Sequence, residues 1–285
     1  MGQLYIVSTP IGNLADFSFR AVDILGAVDR VLAEDTRRTT ILLRHYGIDA
    51  RLYSAHAHNE QARLDQILAW LDDGEKIALL SDAGTPLLSD PGSRIVRGVL
   101  SRGHEVIPVP GASSVLAALV ASGLDIEPFT FMGFLARSGV ERKASLGEIA
   151  RRRHTTIVFE APGRVLRLLR DLAAVCGANR SAVVARELTK LHETFVRGTL
   201  AELIAYYEGE RVRGEIVLLI AGTEAAGEEG QGDVEARAQA LARERLAQGE
   251  SPRDIAKRIT KEVGLPRNRA YEIAQASAAA GGIVE

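Results

Sequence analysis

At 285 residues, 46% apolar and 25% charged, with a formal net charge of −2, the chain is long enough to bury one or two cores, and this composition excludes disordered and collagen-like polymers. A single cysteine, Cys176, rules out an intrachain disulfide, and the N-terminal residues carry neither a basic cluster nor a long apolar run, so a reducing, cytoplasmic setting is expected. No stretch is long and apolar enough to span a membrane, and a net charge near zero leaves nucleic-acid binding to local patches.

Short β-rich runs alternate with helix-period segments, the pattern of parallel strands joined by crossover helices. Strands are expected at Leu4–Thr9, Arg30–Glu34, Arg51–Ser54, Lys76–Ser81 and Glu105–Val109. Helices fall between them at Phe19–Val28, Thr36–Tyr46 and Glu60–Leu71, and a fourth runs from Asp90 as N-cap and Pro91 at the first helical position to Gly103. A small-residue helix, Ser113–Ser122, leads to a second series of strands at Phe129–Phe134, Thr155–Glu160, Ala182–Arg186, Thr194–Arg197 and Glu215–Ala221. Its helices lie near Glu141–Arg152, Arg164–Val175 and Leu200–Glu208. The step from Arg186 to Thr194 is too short for a parallel crossover, so this sheet is mixed.

The expected organisation is α/β: one α/β domain over residues 1–112, a second over 113–222, a Gly/Glu-rich linker at 223–232 and a helical module over 233–285. In that module Ser251-Pro252-Arg253-Asp254 has the form of a capping box, and Ile255, Ile259 and Val263 follow at intervals of four. A turn and a further helix complete a helix-turn-helix-like tail with six Lys/Arg against two Asp/Glu from Arg253 to Arg269.

In open α/β sheets ligands bind beyond the carboxyl ends of the strands. The segments there are Ser8–Asn13 (STPIGN), Ala33–Thr39 (AEDTRRT), Ser81–Arg94 (SDAGTPLLSDPGSR) and Pro108–Ser114 (PVPGASS), all turn-forming or charged. None is a glycine-rich dinucleotide fingerprint. Each alone reads as a turn with a helix cap; four on one edge read as a shared cleft. The second half of the SDAGTPLLSDPGSR segment needs no more than a helix start at Asp90-Pro91.

Together LYIVSTPIGNLADFSFRAVDIL, AEDTR, SDAGTPLLSDPG, PGASS, GFL and ARELTK resemble the tetrapyrrole-methylase-like (class III) methyltransferases, over roughly Leu4 to Ala221. They look most like the subfamily that methylates the ribose 2′-oxygen of a cytidine in the decoding region of 16S ribosomal RNA. The resemblance implies a Rossmann-like parallel five-stranded sheet, a second domain with a mixed sheet, S-adenosylmethionine in the cleft between them, and a homodimer. It implies no metal. One segment departs from the subfamily: Phe159–Arg164 reads FEAPGR where YESPHR is usual, keeping Glu160, Pro162 and Arg164.

On this resemblance the donor-binding residues are Pro10, Asp82, Ala83, Gly84, Pro110, Gly111, Ser113 and Ser114 from the first four segments. Ala185, Gly214 and Glu215 fall where the family supplies walls for the adenosine. Asp82 at a strand end can accept hydrogen bonds from donor hydroxyls or the ammonium, and Gly84 can take positive φ. Candidates for favouring the attacking hydroxyl are Glu34, Asp35, Glu160 and Glu187 with Lys190; each also has the plain reading of a cap or ion pair. Arg37 and Arg186 suit phosphate contact. Further RNA contacts are expected from the cluster Ala136–His154, with Arg142 and Lys143, and from Arg253, Lys257 and Arg258 of the tail.

The imidazoles at His56–Asn59 lack further ligands nearby in sequence, so a surface loop is expected there rather than a metal site. Two other readings share the same motifs: a methylase of corrin or porphyrin precursors, and a non-catalytic nucleic-acid-binding regulator that senses S-adenosylmethionine.

Overall fold

The computed structural model describes residues 1–56, 60–223 and 231–281. They divide into two compact units, Met1–Gly222 and Thr223–Glu285.

The first unit opens with β1 (Gln3–Val7), α1 (Phe19–Ala27), β2 (Arg30–Ala33), α2 (Thr36–His45), β3 (Leu52–Ser54), α3 (Glu60–Asp72), β4 (Lys76–Leu80), α4 (Ser93–Ser101) and β5 (Glu105–Val109). The sheet order is β3-β2-β4-β1-β5, parallel throughout. Alternate residues of each strand face opposite ways, so the sheet buries two cores. Val7, Val31, Ala78 and Leu80 pack on Ala21, Leu25, Leu42 and Leu43 of α1 and α2. Leu4, Leu32, Ile77 and Leu79 pack on Ile67, Leu71, Ile95 and Val99 of α3 and α4. The chain leaves β1 toward β2 and leaves β4 toward β5, over opposite faces. A crevice therefore opens between the ends of β1 and β4.

After α5 (Ser114–Val120) come β6 (Phe129–Phe134), α6 (Gly139–Arg151), β7 (Thr155–Glu160), α7 (Val165–Cys176), β8 (Ser181–Arg186), β9 (Thr194–Thr199), α8 (Leu200–Tyr207) and β10 (Ile216–Ile220). Their sheet, β6-β7-β10-β8-β9, is mixed: β6 and β7 are parallel, the other pairs antiparallel. One face packs on α6, α7 and α8 through Leu146, Ile149, Leu168, Leu172 and Leu203. The other buries Ile157, Val183, Ala185, Val217 and Leu219 against α5 and against Ile11 of the loop after β1. Both sheets thus contribute to one unit, with the β1 loop among the joining contacts.

The second unit holds α9 (Gln231–Ala247), α10 (Pro252–Glu262) and α11 (Arg267–Gly281) around Ala238, Ala242, Ile255, Ile259, Ala270 and Ile273. Ser251 caps α10, its Oγ accepting from the Asp254 N–H at 3.3 Å, with Pro252 at the first helical position. The reciprocal half of the expected capping box differs: the Asp254 carboxylate takes the Ser251 hydroxyl at 2.8 Å. Most of the expected linker, residues 224–230, lies outside the described residues, as does most of the His56–Asn59 loop. Among the described residues no helix is long and apolar enough to cross a membrane.

One helix start differs from expectation. α4 begins at Ser93 with Gly92 as N-cap, rather than at Asp90-Pro91, and Gly92 makes no side-chain cap. Its free N–H groups are satisfied from another element: Glu60 Oε1 accepts from Arg94 N–H at 2.8 Å and from Ile95 N–H at 3.1 Å. The buried Glu60 carboxylate does for α4 what an N-cap side chain does locally.

Candidate active site

The loops after β1, β4 and β5 are stitched together by their backbones. Thr9 and Gly84 exchange N–H···O bonds of 2.8 and 3.0 Å. Gly84 has φ +77°, accessible to glycine without strain, and a Cβ there would stand 3.2 Å from Ile11 Cγ2. Gly111 approaches still more closely: its Cβ would lie 2.8 Å from Ser8 Cβ. Thr85 Oγ1 donates to the Ala112 carbonyl at 3.3 Å, tying the β4 and β5 loops.

Beyond these loops lies a cavity of about 350 Å³, within the ~300–1,000 Å³ range of small-molecule sites. The loop after β4 contributes Ala83, Gly84, Thr85, Leu88, Ser89 and Asp90, and the start of α5 adds Ser113 and Ser114. Facing them from the mixed sheet and its loops are Phe134, Phe159, Glu160, Ala161, Pro162 and Gly214–Val217. The lining is apolar and aromatic with hydroxyls and three carboxylates.

Of the residues expected to hold the donor, Ala83, Gly84, Ser113, Ser114, Gly214 and Glu215 line this cavity. Ser113 also caps α5, accepting from Leu116 N–H at 3.4 Å. Five others are elsewhere. Pro10 and Asp82 line a neighbouring hollow of about 140 Å³ with Arg38 and Thr39; Asp82 is drawn there because its Oδ1 accepts from Asp35 N–H at 2.9 Å and its Oδ2 lies 3.6 Å from Arg38. Pro110 and Gly111 line an apolar hollow with Leu116 and Phe129. Ala185 is fully buried in the core behind the cavity wall.

The candidate acids separate by their partners. Asp35 caps α2, accepting from Arg37 N–H at 2.9 Å and from the Arg37 guanidinium at 2.6 Å, and this bonding holds its carboxyl down at about 2. Glu160 is buried against Arg164, accepting its Nε at 2.6 Å, and accepts Ala161 N–H at 2.8 Å. The two charged residues kept in the FEAPGR segment are thus the ones that fix it. Glu187, at φ +53°, accepts Lys190 Nζ at 2.8 Å and Glu215 N–H at 2.9 Å, and these bonds lower its carboxyl. Lys190 reaches Glu215 as well, at 3.0 Å. A Cβ on Gly214 would lie 2.5 Å from the Glu187 side chain, so this triangle requires glycine there. Glu34 is raised above the usual range, chiefly by burial and then by Asp82, and lies outside the cavity lining.

Among the cations, the Arg37 side chain is 88% exposed, and Lys143, Arg253 and Lys257 are exposed. Arg186 donates its Nε to Thr194 Oγ1 at 3.1 Å, across the β8–β9 pair. Lys257 is bonded to Asp254 and Arg258 to Glu250. Arg142 is a correction: it is buried, with 2.7 and 3.0 Å bonds to Asp171 and a 3.1 Å bond to the Ala136 carbonyl, and so joins α6 to α7 instead of facing solvent. The signal was present, since Arg142, Leu146 and Ile149 stand at i, i+4 and i+7 on one helical face.

Sequence reasoning missed Ser89, Asp90, Phe134 and Phe159. The aromatics lie in the GFL and FEAPGR segments, but nothing local marked either ring as part of a cavity wall. The Ser89-Asp90 pair was assigned to a helix start that Glu60 occupies instead.

This doubly wound sheet, joined to a mixed sheet around a cavity of this make-up, defines an α/β class with a small-molecule site at its strand ends. The match to the tetrapyrrole (corrin/porphyrin) methylase family model covers residues 3–204, and the chain belongs to that family. Within it, the chain is 44% identical to ribosomal RNA small subunit methyltransferase I of Synechocystis sp., covering 96% of this chain and 97% of the relative. It is 40% identical to the Bacillus subtilis protein of that name, covering 95% and 94%, and 43% to that of Escherichia coli O157:H7, covering 96% and 94%. These proteins mark the branch of the family to which the chain belongs. Solved structures share the fold: a cobalt precorrin-4 methyltransferase has a TM-score of 0.61 at 18% identity, covering 77% of this chain and 94% of that one. A Thermus thermophilus uroporphyrin-III C-methyltransferase complexed with S-adenosylhomocysteine has 0.58 at 20%, covering 77% and 97%.

Proposed function

We propose that this chain transfers a methyl group from S-adenosylmethionine to small-subunit ribosomal RNA, at the ribose 2′-hydroxyl of a cytidine in the decoding region of 16S rRNA. The observation that carries the reading is likeness over 95–96% of the chain, tail included, to relatives named as ribosomal RNA small subunit methyltransferases. The tetrapyrrole methylases share the fold at 18–20% identity and over 77% of the chain.

The donor is S-adenosylmethionine, which when bound supplies an electrophilic methyl group on a sulfonium. The cavity fits it: Ser89, Ser113 and Ser114 offer hydroxyls, Asp90, Glu160 and Glu215 offer carboxylates, and Phe134 and Phe159 offer apolar wall. Most of the catalytic gain comes from holding the acceptor oxygen about 3–3.5 Å from the transferred carbon. A ribose hydroxyl is a weak nucleophile, and Lys190, held at the rim by Glu187 and Glu215, is the cation able to favour its alkoxide. Lys190→Met then lowers methyl transfer while leaving S-adenosylhomocysteine affinity unchanged; an unchanged rate removes Lys190 from the chemistry.

Arg37, Lys143, Arg253 and Lys257 are the exposed cations for phosphate, which makes affinity fall with salt. The same reading assigns the chain to the cytoplasm, where small subunits are. It also makes the chain a homodimer, for which Leu116, Val120 and Phe129 supply exposed apolar surface. Sedimentation as a monomer removes that part.

The test is radiolabelled methyl transfer from S-adenosylmethionine to unmodified 30S subunits, with mapping of the labelled nucleotide. Label on a cytidine 2′-oxygen is the expected result; label elsewhere, or none in RNA, overturns the reading. Truncation after Gly222 should leave donor binding intact and reduce subunit methylation, and equal activity on subunits removes the tail from RNA recognition.

A further inference from the structure

Three carboxylates line the cavity, those of Asp90, Glu160 and Glu215, and among the described residues no lysine, arginine or histidine does. Glu160 is matched by Arg164 and Glu215 by Lys190. Asp90 has no cationic partner among the described residues; the nearby Ser81 hydroxyl is the group there that favours its charged form. A half-buried carboxylate left in that state faces a cost that a cation entering the cavity removes.

Resting on the methyl-transfer reading above, we propose that Asp90 is the counter-charge for a cation of the methyl donor, either its sulfonium or its ammonium.

The fold keeps Asp90 free for this. An aspartate just before a helix ordinarily spends its carboxylate on the first N–H groups, but α4 receives that service from Glu60 at 2.8 and 3.1 Å. The loop is held in one shape by packing. Leu87 and Ser89 adopt φ of 75° and 70°, and a Cβ on Gly92, at φ 120°, would lie 2.6 Å from Leu87 Cδ2 and 2.9 Å from Leu79 Cδ2. Across the cavity, a Cβ on Gly133 of β6 would stand 3.0 Å from Ser89 Oγ. Left-handed backbone at two non-glycine residues persists where the surroundings over-determine it.

The neighbouring charges act in the same direction. Burial, then Glu34 at the end of β2, then Asp82 after β4 push the Asp90 carboxyl up to about 6. Arg38 is engaged with Asp82, and the cations of the far wall, Arg164 and Lys190, are engaged with Glu160, Glu187 and Glu215. A bound cation restores the charged form, so donor affinity falls as pH drops through this titration.

The experiment is calorimetric binding to the full chain and to Asp90→Asn, with three probes. S-adenosylmethionine carries both cations, S-adenosylhomocysteine the ammonium alone, and methylthioadenosine neither. Asp90→Asn should weaken S-adenosylmethionine by about tenfold or more, the scale of a charge-assisted contact, and leave methylthioadenosine unchanged. If S-adenosylhomocysteine keeps its affinity the partner is the sulfonium; if it weakens in parallel, the ammonium. Equal S-adenosylmethionine affinity in wild type and variant, or equal loss for methylthioadenosine, overturns the inference.

As a second measurement, wild-type affinity for S-adenosylmethionine should drop about tenfold from pH 7.5 to 5.0. That dependence should vanish in Asp90→Asn and persist in Glu34→Gln; a flat wild-type profile overturns the assignment. Failure of the wild type to bind S-adenosylmethionine at all overturns the methyl-transfer reading itself, a different result from a variant that binds as the wild type does.

Discussion

Asp35 and Asp90 stand in nearly the same sequence setting, each after a strand of the first sheet and just ahead of a helix, and they end in opposite states. Asp35 caps its own helix and binds Arg37, which holds its carboxyl at about 2. Asp90 caps nothing, borders the cavity and is raised to about 6. What separates them is Glu60, thirty residues upstream of Asp90 in sequence, whose carboxylate takes the α4 N–H groups. A helix has few orphan donors, and whichever acceptor satisfies them releases the other. Arg142 and Lys143 repeat the lesson with the opposite charge: adjacent cations, one buried against Asp171, one exposed.

The comparison can be strained most at Arg142. Its replacement by alanine leaves the Asp171 carboxylate and the Ala136 carbonyl without their donor, and should cost about 3 kcal/mol in urea unfolding; Lys143→Ala should cost almost nothing. Equal costs would contradict the separation of the two.

Glu60→Ala comes next. It strands the Arg94 and Ile95 N–H groups and should destabilise by about 2 kcal/mol. A loss no larger than that of an exposed glutamate would mean α4 is capped otherwise, by Asp90 itself.

Asp90→Asn should act the other way. A carboxyl raised in the folded state contributes its stability below the unfolded value of 3.8, and that contribution is lost as pH rises through about 6. The neutral variant should therefore be more stable than wild type at pH 7.5, by about 1 kcal/mol once screening by the open cavity is allowed for, and no more stable at pH 4. A destabilised variant at pH 7.5 would indicate a cation already beside Asp90.

Asp35→Asn should give the smallest change, because asparagine also caps and the lost partner, Arg37, is exposed. Its sign is the reverse. A depressed carboxyl stabilises above its unfolded value and loses that contribution as pH falls from about 4 toward 2, so wild type and variant should converge in acid.

Much of this architecture is legible in the sequence because it rests on local patterns. The uninterrupted apolar run Ile216–Ile220 can only be a strand buried on both faces, and it forms the middle of the mixed sheet. The step from Arg186 to Thr194 spans too few residues for a crossover, and those strands pair antiparallel. Half of the expected donor set lines the cavity because strand ends in a parallel sheet converge by topology. Asp82 departs from it because its carboxylate found a backbone N–H at Asp35, a partner forty-seven positions away. Phe134 and Phe159 enter from another sheet, brought together across twenty-five positions, which no window along the chain can register.

The sequence by itself determined the alternation of strands and helices, the two sheets, the helical tail and the edge on which a ligand would sit, since periodicity and turn chemistry act over a few residues. The tertiary structure alone decided which carboxylates are spent and which is left. Hydrogen-bond donors at helix ends and cations near strand ends go to the best-placed acceptor in space: Glu60 reached the α4 N–H groups, and Lys190 reached Glu215, through the fold.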